Sequence, residues 1–204
     1  MSKVHGLILA GGHGSRLGHV RKADLRLGGM RLIERVAARL SGVARPVLIS
    51  TGFGETVTLE NALCLPDGMG DKQGPMAGLV AGVRHQLPQA EPDDVLICVA
   101  VDTPFLPDDF VARMIAALAD GAAASHAVFG ETLYPTNAAY RLSALADLPR
   151  QFDSGAAPNS PRRLLDLLGA VKIDWSGAVS GDPFANLNTL EDLVRLSRRC
   201  AIAN

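Results

Sequence analysis

The first 120 residues alternate short apolar runs with helical patterns, and that alternation leaves few folds open. VHGLILA (residues 4–10), VLIS (47–50), ALCL (62–65) and VLICVAV (95–101) have the length and the apolar content of buried strands. Each stops at glycine, aspartate or proline. Between them, apolar residues recur at helical spacing. Leu32, Ile33, Val36, Ala37 and Leu40 mark MRLIERVAARL as an amphipathic helix, and Leu79, Val80, Val83 and Leu87 do the same for MAGLVAGVRHQL. Pro107 is expected to start a third helix, with Asp108 and Asp109 in its first turn and a stripe of Phe110, Val111, Met114, Ile115 and Leu118. Strand alternating with helix predicts an α/β fold, a mostly parallel sheet covered on both faces. VLICVAV, apolar without a break, is the strand expected to be buried on both sides.

The second half is less regular. HAVFG and LYPTNAAY read as a hairpin around Gly130 and Glu131. SALADLPRQF reads as a helix cut at Pro149, QFDSGAAPNSP as a loop, PRRLLDLLG as a short helix and AVKIDW as a strand. PFANLN is expected to be extended. TLEDLVRLSRR closes the pattern as a helix, with Thr189 and Asp192 spaced like a capping box. No repeat or linker divides the chain, so residues 1–204 are read as one domain. Arg31, Arg35 and Arg39, four apart, are read as a solvated helix face without function.

Composition narrows the function classes. With 48% hydrophobic and 20% charged residues the chain is globular, and a net charge of −1 gives no broad attraction to nucleic acid or an acidic membrane. Any anion must be bound locally. Cys64, Cys98 and Cys200 form no C-x-x-C pair, and Cys64 and Cys98 sit in apolar runs as buried thiols would, so a reducing cytoplasm is expected. No apolar run approaches the roughly 18 residues of a membrane span.

In an open α/β sheet, ligands bind beyond the carboxyl ends of the strands. That edge collects the chemistry-bearing residues. Gly11, Gly12, Arg16 and Lys22 follow the first strand, Ser50 ends the second, Asp67 and Asp71 follow the third, and Asp102 ends the fourth. The first loop fits neither a dinucleotide fingerprint, since Leu17 stands where a glycine is required, nor a P-loop. Its ingredients still suit phosphate: glycines admit an oxyanion to the backbone, Arg16 offers paired donors and Lys22 a point charge. Alone, it is equally a glycine-rich turn with exposed basic residues. Asp102 opposite such a loop is placed to hold Mg²⁺ together with substrate phosphates. Asn186 and Asn188 share one face of an extended segment, and either complete a phosphate or metal shell or are turn residues before the Thr189 cap. Arg162 and Arg163 meet a second anionic substrate or merely start a helix. His5, His13, His19, His85 and His126 lack metal-ligand spacing, and no nucleophile–base set stands out.

LILAGGHGSRLG with Lys22, GPMAG (74–78), VDTPFLP (101–107) and ANLNTLEDL (185–193) together resemble the molybdenum cofactor guanylyltransferases, in order and spacing along nearly the whole chain. The resemblance implies a single-domain, three-layer α/β/α Rossmann-like nucleotidyltransferase fold. Its nucleotide-binding half would be about 1–120 and its acceptor half about 121–204. It further implies GTP at Leu9, Ala10, Gly11 and Gly12, Lys22 on the phosphates, nucleoside contacts near Ser50 and Asp67, and Mg²⁺ with nucleotide at Asp102. Asn186, Asn188, Arg162 and Arg163 would serve the molybdopterin side. The implied reaction moves GMP from GTP to molybdopterin, with Arg16, Lys22 and metal-bearing Asp102 neutralising the phosphates. Transient contact with proteins that make or accept the molybdenum cofactor would go with it.

The chain departs from the family pattern at His19 and Arg21, where glycine and aspartate are usual, and at Ser50, where asparagine is common. Arg21 is expected to add positive charge beside Lys22. Two alternatives stand beside the guanylyltransferase: a cytidylyltransferase or sugar-phosphate nucleotidyltransferase of the same fold, and a non-catalytic nucleotide or cofactor carrier.

Overall fold

The computed structural model describes residues 2–11, 13–14, 20–52, 56–67, 74–179 and 181–202. Its strands are β1 (Val4–Leu9), β2 (Ala44–Ser50), β3 (Ala62–Leu65), β4 (Val95–Ala100), β5 (Ala124–Phe129), β6 (Thr132–Arg141) and β7 (Val171–Asp174). They form one sheet in the order β7-β5-β6-β4-β1-β2-β3. β6 runs antiparallel to both its neighbours, and the other pairings are parallel. The sheet is therefore mostly parallel, as expected, and β4 is buried at every position.

Two apolar layers hold the helices on. On one face Leu32, Ile33 and Val36 of α1 (Leu32–Ala38), Phe110 and Met114 of α3 (Phe110–Ala116) and Leu196 of α6 (Leu190–Ile202) pack with Ile8, Ile97 and Val99. On the other, Met76, Leu79 and Val83 of α2 (Pro75–Gln86), Leu148 of α4 (Leu148–Asp153) and Leu164 and Leu165 of α5 (Pro161–Leu167) pack with Leu7, Leu48 and Leu96. Alternate residues of one strand feed opposite layers, as the two-residue period of a strand requires.

Several local expectations are corrected. α1 begins at Leu32, because Met30–Arg31 pairs with Arg26–Leu27 as a two-residue ribbon. α3 begins at Phe110, and Pro107 instead closes a turn that the Phe110 N–H bonds. The aspartates expected in its first turn are engaged elsewhere: Asp108 pairs with Arg39, and Asp109 accepts from Trp175 Nε1. Pro149 opens α4 rather than cutting a helix, and Leu142–Leu145 before it is a separate 3₁₀ turn. A proline in the first helical turn forfeits no hydrogen bond.

The arginines of α1 are not a solvated face. Arg31 pairs with Glu34 and Asp24 and donates to the Thr58 carbonyl, and Arg35 donates to the Leu27 carbonyl. They tie neighbouring loops to the helix. Cys98 is buried and its thiol is pushed up by loss of solvent, whereas Cys64 is only half-buried.

The capping box of α6 forms as read. Thr189 Oγ1 accepts the Asp192 N–H at 3.1 Å, and Asp192 Oδ2 accepts the Asn188 and Thr189 N–H groups at 3.1 and 3.0 Å. A hydrogen bond from Arg195 and these N–H donors pull the Asp192 carboxyl down to about 2. A carboxyl depressed on folding stabilises above its unfolded pKa, here 3.8, and that contribution fades as pH falls towards about 2. Asp192→Ala should therefore cost about 1 kcal/mol at pH 7, and the gap from wild type should close on acidification below pH ~4, read by urea denaturation.

Candidate functional site: the carboxyl edge of the sheet

Register puts the candidate residues side by side. Leu9 is paired with Ser50 on one side and Ala100 on the other, and Ser50 is paired with Leu65. The ladder ends at that level. Closing it are the Ala10 N–H to Ser50 oxygen at 2.7 Å, the Val101 N–H to Leu9 oxygen at 3.1 Å and the Thr51 N–H to Leu65 oxygen at 3.3 Å. Two residues further on, Gly11, Gly52, Asp67 and Asp102 leave the sheet together. A Cβ on Gly11 would lie 3.0 Å from the Gly52 nitrogen, so the two backbones meet where side chains would not fit.

Lys22 opens a short 3₁₀ turn, Lys22–Asp24, and reaches across to β4. Its Nζ lies 2.7 Å from Asp102 Oδ2 and 2.5 Å from Asn188 Oδ1. The side chains of Lys22 and Asp102 are only 13% and 18% exposed, so this pair is weakly screened. An ammonium has three protons. Two are spent on these partners, which leaves one for a further acceptor. The Asp102 carbonyl in turn accepts the Leu187 N–H at 2.9 Å, which draws the PFANLN segment against the end of β4. There Ala185 and Leu187 are buried and Asn186 is exposed, the alternation expected of an extended run. Asn188 joins the Lys22 cluster and Asn186 does not.

A second cluster lies beside the first. Ser50, 1% exposed, donates its hydroxyl to Asp67 Oδ2 in a short hydrogen bond. Gly78 of α2 packs directly over it: a Cβ there would fall 2.3 Å from Ser50 Oγ and 2.8 Å from both Asp67 Oδ2 and Leu9 Cδ2. The glycine of GPMAG is thus a space requirement. Arg162 and Arg163 stand in the first turn of α5 (Pro161–Leu167). Both arginines are exposed and make no ion pair with the Lys22 cluster. Gly12, Arg16, His19 and Asp71 lie outside the described residues.

Arg21 does not add free charge beside Lys22. Its guanidinium pairs with Asp24 at 2.6 Å and donates to the Thr56 carbonyl at 2.6 Å.

One support escaped the sequence reading. Asn137 of β6, fully buried, accepts the Ala100 N–H at 3.1 Å with Oδ1, and Thr103 Oγ1 lies 3.2 Å from the same oxygen. The available signal was Pro135, which interrupts a strand pattern and marks an irregularity.

Among the described residues no three His, Cys, Asp or Glu side chains gather as metal ligands. The oxygen donors gathered at the Lys22 ammonium are one carboxylate, Asp102, and the Asn188 amide oxygen. Such a set fits a hard cation that takes much of its oxygen shell from a bound phosphate, and not a resident metal caged by protein.

The mostly parallel sheet with a lysine and an aspartate meeting at its carboxyl edge is a Rossmann-like scaffold, and the family match makes the class nucleotidyltransferase. Residues 6–171 match the MobA-like NTP transferase domain, and the chain belongs to that family. It is 37% identical to a Rhodobacter capsulatus protein named molybdenum cofactor guanylyltransferase, covering 97% of this chain and 96% of that one. A protein of the same name from Acidiphilium cryptum is 34% identical, with 94% and 93% covered. Among solved structures, molybdopterin-guanine dinucleotide biosynthesis protein A from Archaeoglobus fulgidus superposes with a TM-score of 0.71 at 23% identity, covering 97% of this chain and 99% of its own. A 2-C-methyl-D-erythritol 4-phosphate cytidylyltransferase from Thermus thermophilus gives 0.68 at 19%, covering 98% and 99%. At these identities the structures speak for the fold. No helix among the described residues is long and apolar enough to cross a membrane.

The Gly78 contact generates a prediction. Gly78→Ala should lower stability by about 1–3 kcal/mol through overpacking and displace Asp67. Thermal melts check the first effect, and weakened nucleotide binding by calorimetry checks the second.

Proposed function

We propose that the protein transfers GMP from GTP to the terminal phosphate of molybdopterin, giving molybdopterin guanine dinucleotide and pyrophosphate. The observation that carries this reading is the part-buried Lys22–Asp102–Asn188 cluster at the carboxyl edge of a chain whose near-full-length relatives bear the guanylyltransferase name. Residues of about 1–120 hold the nucleotide and those of about 121–204 the acceptor. Leu9, Ala10, Gly11 and Gly12 line the GTP, Asp67 faces the nucleoside with Ser50 behind it, and Asn186, Arg162 and Arg163 attend the acceptor. The three cysteines are free thiols, which accords with a cytoplasmic enzyme. Transient docking with proteins that make or accept the molybdenum cofactor belongs to the same reading.

The chemistry asks little proton transfer of the protein. A phosphate monoester has its second pKa at about 6 and is mostly dianionic at neutral pH, so the attacking oxygen needs no general base. That oxygen bonds to the α-phosphorus of GTP. The bond from the α-phosphorus to the bridging oxygen breaks, and pyrophosphate leaves with the electron pair. The obstacle is repulsion between two polyanions, which the protein overcomes by alignment and by fixed positive charge. Lys22 donates a hydrogen bond from its third N–H to a phosphate oxygen, and Arg16 is assigned a paired contact. Nucleotidyl transfer of this kind uses a divalent cation, and Mg²⁺, held by Asp102 and Asn188 with the GTP phosphates, would offset phosphate charge.

Incubation with GTP, Mg²⁺ and molybdopterin should release pyrophosphate and form the guanine dinucleotide, with CTP and ATP competing poorly. Efficient CMP transfer would reassign the protein as a cytidylyltransferase, and GTP binding without pyrophosphate release would leave a carrier. Lys22→Ala or Asp102→Ala should each lower kcat/KM on the order of 100- to 1000-fold. Each strands a largely buried opposite charge, so thermal melts must accompany the assay. Full Mg²⁺-dependent turnover by Asp102→Ala would remove Asp102 from the mechanism.

A further inference from the structure

We infer that Asn137 is a positioning residue for Asp102, its buried amide carbonyl fixing the turn that presents the carboxylate. The inference rests on the nucleotidyltransferase reading and adds to it a residue of β6, the strand that flanks β4 on the side away from β1.

The pairing of β6 explains why a side chain is needed there. β6 follows β4 in register from Arg141 opposite Val95 to Ala138 opposite Cys98, and the described pairing stops there. Between Tyr134 and Ala138 the pairing of β6 with β5 shifts register, in a stretch that contains Pro135. Proline has no N–H to give a ladder, and strand interiors accept it at irregularities. Beyond Cys98, β4 therefore has no regular partner on this side, while its other side stays paired with β1 as far as Ala100. The Ala100 N–H would be a buried orphan, a costly thing to leave unmade. Asn137 Oδ1 takes it at 3.1 Å.

The same oxygen sits in a closed triangle. Thr103 Oγ1, fully buried, is 2.8 Å from the Ala100 carbonyl and 3.2 Å from Asn137 Oδ1. One amide oxygen thus engages the residue two before Asp102 and the residue one after it. The Thr103 N–H closes back on the Ala100 carbonyl at 3.3 Å, completing the turn. The orientation of the amide is decided by chemistry: turning it over would set its NH₂ against the Ala100 N–H, donor against donor. As oriented, Nδ2 is buried with no partner among the described residues. An apolar residue would avoid that cost, so what the site retains by keeping asparagine is the acceptor.

Asn137 is too deeply buried to touch substrate, so its effect must pass through Asp102. The test is calorimetric and needs no turnover. In the full chain, GTP should bind more tightly with Mg²⁺ than without, and Asp102→Asn should abolish that increment. Asn137→Leu should reduce the increment at least tenfold while GTP affinity without Mg²⁺ stays within twofold of wild type. Combined with Asp102→Asn, it should add nothing further, the non-additivity of residues acting as a unit. Should Asn137→Leu not fold, Thr103→Val breaks the triangle with little change of shape and should lower the increment, with Thr103→Ser restoring it. A wild-type increment in well-folded Asn137→Leu or Thr103→Val overturns the inference while leaving the nucleotidyltransferase reading standing. Absence of any increment in the wild-type protein overturns both.

Discussion

A lysine and an aspartate separated by 80 residues of sequence meet at 2.7 Å with most of their surface removed from water. Much of the candidate site hangs on that contact. A largely buried charge is tolerable only with a partner, so the pair fixes the segment after the glycine loop against the tip of β4. Asn188, from the far end of the chain, is the third member and brings the PFANLN segment with it. Three stretches remote in sequence are held by one ammonium, and its positive charge is shared between a carboxylate and an amide oxygen. A polyphosphate, with more negative charge than either, is the kind of ligand able to draw further on that ammonium.

The scaffold around the contact supplies alignment through backbone register. Since Leu9, Ser50, Ala100 and Leu65 stand at one level, their successors need no special geometry to converge. What must be built locally is the stiffness of the loops. Each tip is closed by different means: glycine-to-glycine backbone contact at Gly11 and Gly52, the Ser50–Asp67 hydrogen bond under Gly78, and the Asn137–Thr103 triangle below Asp102. Behind Asn188 stands the α6 capping box, so a helix-stabilising device also steadies a residue of the site.

Much of this was legible in the sequence because it depends on short-range pattern. Short apolar runs located the strands and the 3.6-residue period most helices, and the rule that ligands gather at carboxyl ends grouped Lys22, Ser50, Asp67 and Asp102 before any contact was known. Helix starts were less legible where a tertiary partner outbids the local signal. Asp108 and Asp109 look like first-turn residues of α3 until Arg39 and Trp175 claim them. Asn137 was harder to see, with only Pro135 nearby to mark an irregularity. Its importance comes from the lapse of the β6 ladder, and a lapse in pairing is a property of two strands together.

The basic character of the first loop shows how far tertiary pairing can rewrite a local reading. In sequence, Arg21 beside Lys22 doubles the charge facing any phosphate. In the fold, Arg21 turns to Asp24, Asp24 also meets Arg31 at 3.6 Å, and Arg31 meets Glu34 at 2.8 Å. Two arginines and two carboxylates alternate along a neutral chain, partly exposed and of little individual strength. Its service is geometric, since Arg21 and Arg31 also grip the Thr56 and Thr58 carbonyls and thereby dock the connection between β2 and β3. The charge of Arg21 is thus neutralised three residues later, at Asp24. Among the described residues of that loop, Lys22 is the cation joined to Asp102, while Arg21 is spent on Asp24 and the Thr56 carbonyl.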